Sequence, residues 1–344
     1  MMATSSARFD SRSQSAAALR VDGSRGLRGR LVSLGLGLLS AILGRLPPSP
    51  LQRLAHAGGG VLYRTQPARR ELVRANLLRV CAYLAEHGLV GERSAASRAA
   101  RDERALDRLV RAAFGHYVRG YLETAIVGAY ARHGRLPDIE ADYPALVEEA
   151  FGQAGQPSGP LILVGMHFGA IEVPGLWTSR RGLRVTAPME TISDPDLQAH
   201  LAASRAAAGL HIVPSEGAGR EVSAALQRGE VVALVADRSV GGGGARVHLF
   251  GAPARLPVGP AALAVATGAP AWLVTTRRVG WTEYRVHLER IELPSAGTRR
   301  ERLAAFLEYE ARAFERAVAA APEQWWTLFF PIWREEMTGD GGRR

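Results

Sequence analysis

The spacing of apolar residues along the chain changes near residue 150. Residues 50–150 carry apolar side chains at three- and four-residue intervals, which predicts helices, with a polar linker over 91–104. Beyond residue 150, short apolar runs alternate with helical stretches, which predicts an α/β fold with a central mixed sheet flanked by helices. The predicted strands are 161–165, 183–187, 210–213, 231–236, 271–276 and 284–288, and the predicted helices are 195–208, 219–227, 258–267 and 299–320.

Both ends of the chain lack this periodicity. Residues 1–24 are rich in Ser, Ala and Arg and are predicted to be a disordered tail, and residues 336–344 a flexible one. Residues 25–335 are then a single domain. Its first part, 25–150, is mainly helical, and its second part, 151–335, is α/β.

Residues 31–44 form an apolar run of 14 residues. A bilayer needs about 20 residues to be crossed, so this run is too short to span one comfortably. Two interpretations remain open: a buried core helix, or a membrane-docking helix that lies in the interface with its flanking arginines on anionic headgroups. The flanking arginines are at positions 25, 28, 30 and 45.

The amino-acid composition excludes several kinds of catalytic and binding site. The chain has 43 basic and 33 acidic residues, a formal charge of +10, and every basic residue is Arg. The absence of Lys excludes Schiff-base, Walker and kinase-type lysines. One cysteine, Cys81, excludes a disulfide framework and a multi-cysteine metal site, and the histidines have no metal-ligand spacing. A basic chain without a nucleic-acid-binding motif favours a membrane or a phosphorylated substrate as its anionic partner.

The clearest chemical motif follows the first predicted strand. His167 and Glu172 are five positions apart, an H-x4-E pattern at the carboxyl end of the strand, where α/β sheets place their ligands. A histidine there can deprotonate a hydroxyl, and a carboxylate would orient the ring. By spacing alone, the alternative is a core-edge histidine followed by an acidic residue in a first helical turn.

The wider sequence around this motif resembles one family. The segments GMHFGAIEVPGLW, APMETISDPDLQAHLAASRAAAGLH, VADRSVGGGGARVHLFGAPARLP and PEQWWTLFFPIWRE follow one another in the order typical of the bacterial lipid A late acyltransferases and their relatives, the phosphatidylinositol mannoside acyltransferases. The resemblance covers roughly residues 30–335.

The resemblance implies catalytic roles for three residues. His167 would be the general base and Glu172 the acidic residue of the H-x4-E box. Asp237, which precedes an arginine after a strand, is favoured as the hydrogen-bond partner of the histidine, although the mannoside-acylating branch tends to have Glu there. Which of Glu172 and Asp237 orients His167 stays open at this point.

The resemblance also implies three substrate-binding residues. Glu190 and Arg205 lie 23 and 38 positions after His167, where the mannoside-acylating branch carries a functional Glu and Arg, and Arg238 follows Asp237. Either arginine could stabilise an oxyanion or hold a phosphate. The alternatives are an exposed charge on a helix for Arg205 and loop positions for Glu190 and Asp237.

The implied function is a membrane-associated acyltransferase on the cytoplasmic face of the cell membrane. It would move a fatty acyl chain from acyl-CoA or acyl-carrier protein, used as donor substrate and not as a cofactor, to a hydroxyl of a glycolipid or phospholipid. Anionic membrane lipids would be its other partner, with no nucleic acid and no metal. The alternative is a non-catalytic, basic lipid-surface binding protein of the same fold. A hydrolase is disfavoured because the chain has no G-x-S-x-G elbow.

Two further features have competing interpretations. The glycine run at 241–244 does not lead into a helix, so it predicts a loop or hairpin turn and not a phosphate cradle. An aromatic cluster near the end of the chain is interpreted as a core plug, with a membrane-interface belt as the alternative. The cluster comprises Trp325, Trp326, Phe329, Phe330 and Trp333.

Overall fold

The computed structural model describes residues 35–333, apart from 36, 39, 47, 134–137, 153–158, 240–242 and 281–282. Both predicted tails lie outside the described residues, as do part of the apolar run 31–44 and part of the glycine run.

Four helices form the N-terminal part: α1 (Pro48–Thr65), α2 (Pro67–Glu86), α3 (Ala95–Ala99) and α4 (Glu103–Arg132). Proline opens α2, and Asp102 caps α4 by accepting from the backbone N–H groups of Arg104 and Ala105. The prediction of a linker over 91–104 is wrong in part, because α3 forms there. The Ser94 side chain caps it, and its small residues are buried against α2 and α4.

A seven-stranded mixed sheet forms the centre. Its strands, in spatial order, are β1 (Asp138–Ala141), β9 (Glu283–Ile291), β8 (Ala271–Arg278), β2 (Leu161–Gly169), β5 (Val231–Val235), β3 (Val185–Met189) and β4 (Leu210–Pro214). Five neighbouring strands, β8 to β4, are parallel, and β9 and β1 run in the opposite direction. Two further strands, β6 (Ala245–Leu249) and β7 (Ala252–Leu256), lie outside this sheet.

Helices cover both faces of the sheet, which confirms the predicted fold class. In β2, Leu161 and Leu163 belong to one core cluster and Ile162 and Val164 to another, so the first part of the strand is apolar on both faces. The remaining helices are α5 (Pro144–Phe151), α6 (Glu172–Arg180), α7 (Pro195–Ala207), α8 (Ala218–Gln227), α9 (Gly259–Thr267), α10 (Arg299–Ala319) and two 3₁₀ turns, Pro322–Gln324 and Trp326–Phe329.

Three strands differ from the sequence prediction. β1 lies in the segment predicted to be helical; it is four residues long and pairs only with β9 at the edge of the sheet. β6 and β7 form a separate antiparallel hairpin that the apolar pattern did not indicate. Its turn is made by Phe250 and Gly251, both at positive φ, and Gly243 and Gly244 come before β6.

The aromatic cluster near the chain end is buried, as the core-plug interpretation predicts. Trp325 is completely buried, and the other cluster members are buried or nearly so. The described residues of the apolar run 31–44 include both buried positions, as in a core helix, and exposed apolar positions, as in a membrane-docking helix. Leu43 is buried, and the hydroxyl of Ser40 donates to the carbonyl of Ala125 in α4, whereas Leu38 and Ile42 are exposed.

Candidate active site

A bulge at the end of β2 sets the position of His167. β2 and β8 pair in register up to Gly165 and Val274, and the pairing resumes at Gly169 and Thr276. Three residues of β2, Met166 to Phe168, therefore lie opposite the single residue Thr275 of β8, and His167 is the middle one of the three. Gly169 has φ of +54°, and a Cβ there would lie 1.8 Å from the Thr276 carbonyl oxygen. A bulge of this kind re-aims a side chain at the rim of a sheet.

Asp237 is the carboxylate that contacts His167. It lies two residues after β5, the neighbour of β2, and its Oδ1 is 2.7 Å from Nδ1 of the imidazole. The Asp237 side chain is fully buried, whereas that of His167 is 24% exposed and lines a cavity. With Nδ1–H donated to the carboxylate, Nε2 is the ring nitrogen left to accept a proton.

Two donors hold the second oxygen of Asp237. The indole Nε1 of Trp325 donates to Oδ2 at 2.8 Å, and the hydroxyl of Thr327 donates to it at 2.6 Å. Burial by itself would raise the pKa of Asp237. The charge of His167 and the hydrogen bonds from His167, Thr327 and Trp325 outweigh burial and lower this pKa to about 2. Asp237 is therefore ionised at any physiological pH.

Glu172 contacts a different partner. It lies in the first turn of α6, and Arg205 of α7 donates to it from Nε, 3.1 Å from both carboxylate oxygens, and from Nη2 at 2.7 Å. The carboxylate is nearly buried. Burial by itself would lower the pKa of the Arg205 guanidinium. The charge of Glu172 and its hydrogen bonds outweigh burial and raise this pKa above its usual value. The geometry thus pairs Asp237 with the histidine, and Glu172 with the arginine.

Glu190 and Arg238 form a second ion pair at the cavity. Arg238 Nη2 lies 3.0 Å from Glu190 Oε2, and its guanidinium stacks over the ring of Phe330, 4.3 Å from the centroid. Glu190 is exposed. Five of the six predicted site residues line this cavity, and the sixth, Asp237, lies behind His167.

The cavity has a volume of about 620 Å³ and two kinds of lining. The polar part of the lining includes His167 and the two ion pairs. The apolar part, called here the apolar wing, comes mainly from strand residues on one face of the sheet. This apolar wing is lined by Leu163, Gly165, Ala187, Leu201, Leu210, Ile212, Ala233 and Val274.

Several lining residues were not predicted from the sequence. α4 contributes Tyr117, Tyr121 and Thr124, and the chain end contributes Trp326 and Phe330. The tyrosines are four residues apart on one helix, a spacing that is equally typical of a core face. Trp326 stacks on Tyr121 and packs so closely on α4 that a Cβ at Gly120 would overlap its ring. Gly120 is therefore the sequence feature that could have indicated a close contact with α4.

In the part of the chain that the structure describes, no hydroxyl or thiol side chain hydrogen-bonds to the His167 ring. Among the described residues, Asp237 is the only hydrogen-bond partner of the His167 ring. Cys81 is buried away from the cavity, and burial, followed by the charge of Glu323, raises the pKa of its thiol to about 12. The described part of the chain also contains no cluster of three or more His, Cys, Asp or Glu side chains arranged to hold a metal ion. The arrangement is suited to deprotonating a hydroxyl that enters the cavity with a substrate.

Comparison with known sequences agrees with this geometry. The profile of the family described as "Bacterial lipid A biosynthesis acyltransferase" matches residues 23–335. The chain belongs to this family. The family profile thus extends over all of the described structure, including the H-x4-E box and the aromatic chain end.

Two relatives of this lipid A acyltransferase family member are named phosphatidylinositol mannoside acyltransferase. The one from Mycobacterium tuberculosis is 31% identical over 176 residues, which is 50% of this chain and 54% of the relative. The match therefore spans about half the length of that relative. The one from Mycolicibacterium smegmatis is 26% identical over 326 residues, 91% of this chain and 95% of the relative.

The Glu172–Arg205 pair of this lipid A acyltransferase family member is expected to be important for stability. Removing one partner of a buried pair leaves the other charge uncompensated, which costs about 3–5 kcal/mol. Glu172→Gln should therefore lower the free energy of unfolding by about that amount, measured by denaturant titration. The double variant Glu172→Gln/Arg205→Gln should lose less than the sum of the single changes.

An exposed ion pair provides the matched control. Glu149 and Arg290 are 3.5 Å apart with both side chains half exposed, so Glu149→Gln should cost less than about 1 kcal/mol. Equal effects of Glu172→Gln and Glu149→Gln would contradict the structural role of the buried pair.

Proposed function

We propose that the protein is a membrane-associated acyltransferase that moves a fatty acyl chain from acyl-CoA or acyl-carrier protein to a hydroxyl of a glycolipid or phospholipid, with His167 as general base. The observation that carries the proposal is the His167–Asp237 pair, whose imidazole lines a largely apolar cavity. Membership of an acyltransferase family supports it.

The reaction follows from this arrangement without a covalent enzyme intermediate. Nε2 of His167 takes the proton of the acceptor hydroxyl as its oxygen attacks the thioester carbonyl. The carbonyl oxygen becomes an oxyanion, and Arg205, held in place by Glu172, supplies positive charge at the cavity for it. When the carbon–sulfur bond breaks, the imidazolium returns its proton to the departing thiolate. An ester and a free thiol are the products.

The polar and apolar parts of the cavity lining suit the two parts of an acyl donor. The apolar wing offers a dry surface to the hydrocarbon chain, whose burial is favourable by about 0.8 kcal/mol per CH₂. Arg238, at the cavity with the exposed Glu190, is placed to hold a phosphate of the donor or of the acceptor headgroup. The small residues Gly165, Ala187 and Ala233 keep the wing open.

Filling the wing should shorten the preferred acyl chain. Ala233→Leu places an isobutyl group over the sheet face, so the ratio of kcat/KM for palmitoyl-CoA to that for decanoyl-CoA should fall by about tenfold or more. The measurement is acyl transfer with donors of graded length. Ala304→Leu adds the same group on an exposed position of α10 and should leave the ratio unchanged. An unchanged ratio in Ala233→Leu would place the chain elsewhere.

Membrane association is supported by the surface of the N-terminal helices. Leu38, Ile42, Leu54 and Val61 are exposed apolar residues near the start of the described chain, and the whole protein carries a formal charge of +10. Such a surface suits a peripheral position on an anionic leaflet. The donors named above are found on the cytoplasmic side, which is the face we propose. None of the described helices is both long and apolar enough to cross a membrane.

The names of the relatives support one class of acceptor. Both are named for the acylation of a phosphatidylinositol mannoside, a glycolipid that carries hydroxyls and a phosphate. A glycolipid of this kind is the acceptor we propose, since the cavity lining offers a base for a hydroxyl and arginine for a phosphate.

The experiment is acyl transfer by the purified protein from labelled palmitoyl-CoA, or palmitoyl-carrier protein, to the total lipid extract of its host. A new labelled lipid that forms with the wild type and not with His167→Ala is expected, and its mass identifies the acceptor. Absence of transfer from either donor, together with tight binding to anionic vesicles, would overturn the proposal in favour of the non-catalytic lipid-surface binding protein.

A further inference from the structure

The segment after α10 encloses the carboxylate that contacts the histidine. Trp325 and Thr327 both donate to one oxygen of Asp237, and both are essentially without exposure to solvent. These two residues lie about 90 positions after Asp237 and about 160 after His167 in the sequence. The contact therefore depends on how the chain end is held against the sheet.

Three elements hold this segment in place. The side chain of Gln324 makes two hydrogen bonds of 2.9 Å with the backbone N–H and C=O of Arg278, at the end of β8. Trp325 forms an antiparallel bridge with Phe168, next to the histidine in β2.

The third element is α2. The amide of Asn76 donates to the carbonyls of Leu328 and Phe330, at 2.9 and 3.0 Å. All of these anchoring side chains are buried. The Thr327 hydroxyl is thus fixed relative to both β2 and β8, the two strands that form the bulge around His167.

We infer that Thr327 is a positioning residue for catalysis, which acts on His167 through Asp237, with Trp325 as the second donor to the same oxygen. A carboxylate that touches an imidazole through one oxygen is free to rotate about its Cβ–Cγ bond. Two donors on the other oxygen fix the carboxylate plane, and with it the direction of the Nδ1 hydrogen bond and of Nε2. The inference rests on the proposed general-base function of His167.

The charges around Asp237 are consistent with this role. His167 faces it from β2. Glu310 of α10 is the other titratable group in its neighbourhood, and among the described residues neither oxygen of Glu310 has a hydrogen-bond partner. Burial, and then the charge of Asp237, raise the pKa of Glu310 well above its usual value, which favours its uncharged form. Arg238, the next residue along the chain, pairs with Glu190 instead.

The test compares Thr327→Val, Thr327→Ser and the wild type in acyl transfer. Losing a hydrogen bond to a charged group should lower kcat by about tenfold or more in Thr327→Val, with KM within about twofold. The acidic limb of the pH–rate profile should move to higher pH, because a carboxylate with one donor fewer stabilises the protonated imidazole more strongly. Thr327→Ser keeps the hydroxyl and should restore both properties.

Two further variants make the result specific. Trp325→Phe removes the other donor to the same oxygen and should change kcat and the pH profile in the same directions. Thr178→Val makes the same substitution at a fully buried threonine whose hydroxyl bonds only within α6, and should leave both unchanged. If Thr327→Val does not fold, Trp325→Phe provides the decisive comparison.

An observable that needs no activity separates this inference from the proposed function. The proton on Nδ1 of His167 gives an NMR resonance that reports the hydrogen bond to Asp237, and Thr327→Val should shift it. A wild type without transferase activity would reject the proposed function but leave this shift measurable. Wild-type kcat and pH profile in both Thr327→Val and Trp325→Phe, or an unshifted resonance, would overturn the inference.

Discussion

Replacing His167 with Ala is expected to lower kcat/KM for acyl transfer by about 10²–10⁴-fold, the contribution typical of a general base. The variant keeps Asp237, but the acceptor hydroxyl then has no proton acceptor in the cavity at the position of Nε2. The measurement is the initial rate of transfer at subsaturating acceptor. KM for the acyl donor should change little, because the imidazole takes no part in binding the hydrocarbon chain.

His211→Ala is the matched control for this change. His211 is an exposed residue of β4, so its replacement removes an imidazole without affecting the cavity, and the rate should stay at the wild-type level. Undiminished transfer by a folded His167→Ala protein would remove the histidine from the mechanism.

Asp237→Asn is expected to lower kcat by about 10³–10⁴-fold, although it changes only one atom. Trp325 and Thr327 both donate to Oδ2, so the amide must place its oxygen there and turn its NH₂ toward Nδ1 of His167. Nδ1 then has to accept, and the proton moves to Nε2, the nitrogen that should take a proton from the substrate. The ring stays in place in the wrong tautomer.

The measurement is kcat over a range of pH, together with the free energy of unfolding. Asp142→Asn is a suitable control, because Asp142 is a largely buried carboxylate paired with Arg277 and does not line the cavity. A drop in rate of similar size in both variants would indicate a general structural effect and contradict the tautomer argument.

Much of the fold was predictable because parallel strands buried on both faces leave a local signature. The runs that became β2, β5 and β8 are continuous and apolar, and α7 and α10 begin at capping residues, Asp194 and Thr298. β1 and the β6–β7 hairpin were not predictable in this way. β1 is acidic, short and paired only at the sheet edge, so the position of its partner β9 determines its conformation more than its own apolar pattern does.

For the candidate site, the sequence alone located the H-x4-E box and, by resemblance, the residues that would accompany it. It did not decide which carboxylate contacts the histidine. Glu172 is the nearer of the two along the chain. However, it is the first residue of α6, and its carboxylate accepts hydrogen bonds from Arg205 of α7.

The sequence by itself therefore determined the α/β class, the composition that excludes lysine, disulfide and multi-cysteine chemistry, and the position of His167 at the carboxyl end of a buried strand. The tertiary structure decided which side chains pair, namely His167 with Asp237 and Arg205 with Glu172. Strand order places Asp237, just after β5, beside His167 of β2, 70 residues away along the chain. The chain end then returns to donate twice to Asp237. Local periodicity reports which residues are buried, but neighbouring strands are chosen by the packing of the whole chain, and that packing selects the partner of each charge.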